Sequence, residues 1–323
     1  MKLPRRKFLH LATGAAALPA MSRIAWAQTY PARPVRLVVG FAAGSAPDIV
    51  ARLVGQWLSE RLGNPFVIDN RPGAGSNIGT EAVVRAPPDG YTLLMAVATN
   101  AVNATLYENL NFNFIRDIAP VATIARVPNV MAVNPSLPAK TVPEFVTYAK
   151  ANPGKINMAS SGNGSASHVS GELFKAIAGV DLVHVPYRGS LWPDLLSGQV
   201  QVTFYPIPGI IGYIRSGNLR ALAVTTAARS DELPGIPTVG EFVPGYEASG
   251  WYGVVAPKNT PTNVIDKLNR EINAVLAEPE TKVQLANLGG TVFPGSPADF
   301  GKLIAEETEK WAKVIKFANI KPE

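Results

Sequence analysis

The chain contains no cysteine and only three histidines among its 323 residues. A disulfide, a thiol nucleophile and a thiolate metal site are therefore excluded. Past residue 27 the only histidines are His168 and His184. With no carboxylates clustered beside them in sequence, they argue against a catalytic metal, and no cofactor is expected. No apolar run is long enough to span a bilayer. A basic run is also missing from the body of the chain. The first 27 residues hold five of the 30 basic residues and none of the 24 acidic ones, leaving 25 against 24. A nucleic-acid partner thus has no electrostatic footprint.

What is present begins with targeting. Arg5-Arg6-Lys7-Phe8-Leu9 opens the chain, a weakly apolar run follows from Leu11 to Met21, and Ala25-Trp26-Ala27 offers a small-x-small cleavage site. Residues 1–27 read as a twin-arginine signal peptide and imply export to the periplasm. The remaining 296 residues suit two domains, and cores of that size need no disulfides.

The mature chain is organised around Val35 to Gly63. Val35–Val39 is a β-branched strand, and Ile49, Val50, Leu53, Val54, Trp57, Leu58 and Leu62 recur at helical spacing before Gly63. Between them lie Gly40, Phe41, Ala42, Ala43, Gly44, Ser45, Ala46, Pro47 and Asp48. In an α/β sheet, such a strand-end loop is where ligands bind and where helix N–H groups meet an anion. The commoner reading of the same residues is a stable helix start, with Ser45 and Asp48 as a capping box.

Strands are expected at 66–69, 91–97, 129–133, 155–159, 182–185, 200–204, 219–224 and 250–256. Helices are expected at 47–62, near 79–84, and at 142–151, 167–178, 262–277 and 298–316. Strands alternating with helices imply a mostly parallel sheet. A second small-residue loop, Ser160-Ser161-Gly162-Asn163-Gly164-Ser165, precedes the helix at 167–178 and echoes the first. Two α/β lobes aiming helix starts at a shared cleft would hold a small anion.

Other motifs carry less. Gly73-Ala74-Gly75-Ser76-Asn77-Ile78-Gly79 is one residue too long for a dinucleotide loop and reads as a structural turn. Ser165 lacks the G-x-S-x-G elbow of a hydrolase, because Asn163 and Ser167 stand where glycines belong. His168, in a first helical turn, suits a neutral hydrogen-bonding role, either to a ligand or to its own helix. His184 reads as a core residue. Arg188, in the turn after His184, could pair a carboxylate, and Tyr205 ends the next strand.

Several stretches together resemble the Bug-type solute receptors of tripartite tricarboxylate transporters over the whole mature length. They are Tyr30-Pro-x-Arg-Pro-Val-Arg-Leu-Val-Val, Asp48-Ile-Val-Ala-Arg52, Asn70-Arg-Pro-Gly-Ala-Gly75, Pro88-Asp-Gly-Tyr-Thr-Leu93, Ala149-Lys-Ala-Asn-Pro-Gly154, His184-Val-Pro-Tyr-Arg-Gly189, Leu219-Arg-Ala-Leu-Ala-Val224, Pro237-Thr-Val-x-Glu241 and Trp251-Tyr-Gly-x-x-Ala-Pro257.

The resemblance implies a two-lobed α/β periplasmic binding protein of type II, each lobe a mostly parallel sheet flanked by helices, with the cleft between them. It implies no catalysis, a small organic carboxylate as ligand, integral-membrane transporter subunits as partners, and a monomer. A sensor's input module and, further off, a periplasmic hydrolase are the alternatives. Lobe I would comprise residues 28–127 and 251–323, and lobe II residues 128–250, with the hinge near Val127–Asn129 and Gly250–Trp251. By position, lobe I offers Phe41, Ala42, Ala43, Gly44, Ser45, Asp48, Thr99 and Asn100 to the ligand. Lobe II offers Ser160, Ser161, Gly162, Gly164, Ser165, His168, Tyr187 and Arg188. Tyr205 stands where the family commonly has an Asp, so a ligand ammonium would lack a counter-charge. The segment Ser190-Leu191-Trp192-Pro193 is about two residues shorter than in the family.

Overall fold

The strand Val35–Val39 (β1) forms as its β-branched run requires, and it is buried almost throughout. The computed structural model describes residues 30–187 and 190–322. The proposed signal peptide and Arg188 lie outside the described residues. From β1 the chain runs through Ala46–Leu62 (α1), Phe66–Asn70 (β2), Asn77–Val84 (α2), Thr92–Val97 (β3) and Ala98–Leu106 (α3). The long strand Ile118–Val133 (β4) then leads to Val142–Ala151 (α4), Asn157–Ser160 (β5), Ala166–Ala178 (α5) and Val183–Pro186 (β6). Trp192–Ser197 (α6), Val202–Pro206 (β7), Ile207–Arg215 (α7), Arg220–Val224 (β8) and Ser249–Pro257 (β9) follow. Thr262–Leu276 (α8), Pro279–Asn287 (α9), Thr291–Val292 (β10) and Pro297–Phe317 (α10) end the described chain.

The sheet order is β2-β1-β3-β9-β4-β7-β5-β6, with β8 and β10 also on β4. Pairings among β1, β2 and β3, and among β5, β6 and β7, are parallel, as alternating strands and helices predict. The antiparallel pairings involve β4 and β9, the strands that run between the two halves. β4 pairs with β9 from Ile118 to Pro128, then with β7 and β8 from Asn129 to Val133. One strand therefore belongs to both halves. Its partner β9 ends there, with Gly250 opposite Val127 and Ser249 opposite Pro128.

Three apolar layers follow from this topology. On one face, a core including Leu94, Met131, Phe174, Phe204, Trp251, Phe300 and Trp311 runs through both halves beneath α3, α5 and α10. On the other face, α1 and α8 cover the first half, and α6 and α7 cover the second. The helices α1, α3, α5 and α7 thus begin at the carboxyl ends of β1, β3, β5 and β7. This layout puts the two small-residue loops at strand ends, one per half.

Candidate functional site

The first loop is a tight turn held from within. Ser45 is extended (φ −72°, ψ 160°), and its Oγ donates to the Ala42 carbonyl at 2.7 Å while its N–H reaches the same carbonyl at 3.2 Å. Gly44 adopts φ +81°, a left-handed conformation that glycine takes without cost, and its N–H donates to Asp48 Oδ2 at 2.8 Å. The capping box therefore does not form: no side chain caps α1, because Ser45 turns back and Asp48 turns toward the loop. Asp48 also accepts from Arg52 Nε at 2.9 Å and from Asn70 Nδ2 at 2.9 Å. Burial pushes its carboxyl up, but the hydrogen bonds from Arg52, Gly44 and Asn70 outweigh that and hold it below the usual carboxylate range. With 1% of its surface exposed and its oxygens occupied by Gly44, Arg52 and Asn70, Asp48 shapes the loop from within.

The second loop repeats the first almost bond for bond. Ser165 is extended (φ −65°, ψ 158°), and its Oγ and N–H both reach the Gly162 carbonyl, at 2.7 and 3.3 Å. Gly164 (φ +72°) donates its N–H to His168 Nδ1 at 3.1 Å, as Gly44 does to Asp48. Gly44-Ser45-Ala46-Pro47-Asp48 and Gly164-Ser165-Ala166-Ser167-His168 are one turn used twice. The third helical position carries an anionic carboxylate in one half and an imidazole in the other.

That imidazole is neutral. His168 is buried and stacks on His184 with ring centroids 3.6 Å apart and planes within 5°. Burial, then the neighbouring His184 and Lys175, lower His168 to about 3; burial and Lys175 lower His184 to about 4. Nδ1 of His168 can accept from Gly164 only in this unprotonated state. His184 Nε2 lies 2.6 Å from Ser160 Oγ, so the pair grips the loop at both ends. His184, expected only to fill the core, thus supports the loop through Ser160, and His168 is buried behind the loop with its Nδ1 occupied by Gly164. A Ser–His contact of this length suits a nucleophile and its base, but Ser160 has no exposed surface for a substrate to reach.

The structure brings some expected residues together and withdraws others. Thr99 of α3 and Gly164 share a cavity of about 20 Å³ with Ala166, Ser249 and Trp311. A Cβ on Gly164 would come within 2.6 Å of Leu106, so the halves touch there. Ala42, Ala43, Gly44 and Ser161 are exposed, and Phe41 and Ser45 half-buried. Gly162 is buried, and its N–H and carbonyl are tied to Ser160 Oγ. Asn100 is instead a buried brace, accepting from Val97 N–H and donating to Ser76 and Thr80. The Tyr187 hydroxyl is committed to Asp194 at 2.6 Å, and its pKa is raised to about 12 by burial and that carboxylate. Tyr205 packs its ring on Trp192 at 4.9 Å and against Gly209, inside its own half. Larger hollows, of about 820 and 630 Å³, lie between the end of α3 and the C-terminal residues and between α5 and α10, away from both loops. Arg52 and Asn70 escaped sequence reasoning, although Arg52 stands at i+4 from Asp48 on one helix face.

Two α/β halves joined by shared strands, each aiming a loop and a helix start at the other, define a two-lobed periplasmic binding protein. The chain belongs to the tripartite tricarboxylate transporter family receptors, whose profile matches residues 50–320. BugT of Bordetella pertussis is 37% identical over 295 residues, 90% of this chain and 90% of that protein. The structure of R. palustris Rpa4515 with adipate is similar at TM-score 0.77 and 39% identity, over 91% of this chain and 100% of that one. MatC from Rhodopseudomonas palustris with bound malate is similar at TM-score 0.73 and 30% identity, over 88% and 100%.

Proposed function

We propose that the protein is an exported, non-catalytic receptor that captures a small organic carboxylate between its lobes and delivers it to integral-membrane transporter subunits. The observation that carries this reading is the duplicated turn. Each copy leaves a loop of small residues at a helix start, where backbone N–H groups favour an anion. Phe41 to Ser45, Thr99, Ser161 and Ser165 are the ligand-facing residues in this reading, with Asp48, Asn100, Ser160, His168 and His184 holding them in place. Adipate and malate in the two related structures support a carboxylate ligand. In this reading the lobes divide at residues 127/128 and 250/251, within the last pairs of the β4–β9 ladder. Export follows the twin-arginine route to the periplasm, and the protein acts there as a monomer.

β7 ends in Tyr205-Pro206, with no carboxylate at the strand end to pair a ligand ammonium. Burying an unpaired ammonium costs several kcal/mol, on the order of 10²- to 10³-fold in affinity. Calorimetry with succinate and aspartate is the test. Succinate is expected to bind, and aspartate more weakly by at least tenfold. Failure of all small carboxylates to bind would overturn the function, and tight binding of aspartate would overturn its charge preference.

A further inference from the structure

Beside the first loop, between the starts of α1 and α7, lies an apolar hollow of about 200 Å³. Ala46 and Ile49 of α1, Ala125 of β4, Tyr252 of β9, Pro208 of α7 and Asn287 at the end of α9 are among its lining residues. Its walls come from both lobes. Pro208 belongs to the second half, and Gly289 packs so closely on it that a Cβ there would fall 1.7 Å from Pro208 Cγ. Ala46 directly follows Ser45, so the hollow begins where the loop's turn ends.

We propose that this hollow receives the hydrocarbon body of the bound carboxylate, so that the protein selects carboxylates by the length of an aliphatic chain. The inference rests on the carboxylate-receptor reading above. Its first support is composition: no charged residue lines the hollow, and Asn287 and Tyr252 are the lining residues with polar side-chain groups. A charged second group would be desolvated there without a partner. Its second support is Ile49, a large apolar side chain left 38% exposed at the rim. Its third is size, since an apolar cavity of roughly 150 Å³ is enough to admit benzene. The Tyr252 hydroxyl has no hydrogen-bond partner among the described residues, and burial raises its pKa to about 12. It stays a neutral donor, suited to a hydroxyl or carbonyl at the far end of the chain.

The experiment is calorimetry with straight-chain carboxylates from propanoate to hexanoate, with 6-hydroxyhexanoate, and with succinate as a reference for the loops. Each methylene should tighten binding about three- to fourfold, the equivalent of about 0.8 kcal/mol per buried CH₂. Ala46→Leu, at an exposed helix-start position, fills the hollow and should flatten the series. Ile49→Asn makes its wall polar and should do likewise. Tyr252→Phe should leave the hexanoate affinity unchanged and erase any gain of 6-hydroxyhexanoate over hexanoate. A flat series while succinate binds, or an equal slope in both wall variants, overturns the subsite and leaves the receptor reading standing. Failure of succinate and every alkanoate to bind overturns both.

Discussion

At the scale of single residues, the stacked pair His168–His184 makes the site sensitive to acid. In the unfolded chain a histidine titrates near pH 6.5. In the folded protein burial holds His168 to about 3 and His184 to about 4. Between these limits the unfolded chain binds more protons, so the pair's contribution is full above about pH 6.5 and is lost as pH falls toward 4. The charged groups facing the pair are Lys175, which opposes imidazolium, and Glu172, whose Oε1 is 3.7 Å from His168 Nε2 and 2.9 Å from Lys175 Nζ. Asp181 acts on Glu172 from beyond it. His184→Gln keeps a polar group for Ser160 and removes one titration. Its melting temperature should therefore fall less than the parent's between pH 7 and 4.5; parallel curves would show that the pair contributes nothing. A neutral role for His168 was legible from its place in a first helical turn. The stack was not, because it depends on the register of β6 against β5 and on how α5 is rotated.

At the scale of elements, the helices and strands with long apolar periods were legible, and the short or interrupted ones were not. α1, α4, α5, α8 and α10 fall within a residue or so of expectation. β4 was visible only from Asn129, because Pro120 and the alanines at 119, 122 and 125 dilute its β-branched signal. α3, α6, α7 and α9 went unread; they are nine residues or fewer and are interrupted by Pro, Gly or polar residues. The turn from α9 into β10 shows what such segments do. Gly289 takes φ +69° and lies against Pro208 of the other lobe, so a side chain there meets both backbone strain and a clash. Gly289→Ala should cost about 1–3 kcal/mol, from the left-handed backbone and from overpacking. Urea unfolding measures it: an unchanged midpoint would mean the two lobes do not press together there.

At the scale of the molecule, a closing motion is expected to be absorbed where the shared ladder stops. β9 ends with Ser249 opposite Pro128, and a proline has no N–H to extend the pairing. Directly before that point, Glu247 accepts from Arg126 Nη1 at 3.1 Å and from Ser249 Oγ at 3.0 Å. Lys310 of α10 donates to its backbone carbonyl at 3.3 Å and lies 3.5 Å from its carboxylate. Glu247 is thus clamped by Arg126 of β4 and Lys310 of α10 just before the chain enters β9. Each partly exposed pair is worth no more than about 1 kcal/mol, so Glu247→Gln should shift overall stability little. Its effect should fall on lobe orientation, where a small bias redistributes open and closed populations. Small-angle scattering with and without saturating succinate separates the possibilities. The parent should contract on binding; the variant should start from a larger radius of gyration, contract further and bind more weakly, since closing it costs more. A parent that binds succinate by calorimetry without contracting rules out closure as the binding motion. A variant matching the parent in radius and affinity rules out the clamp alone.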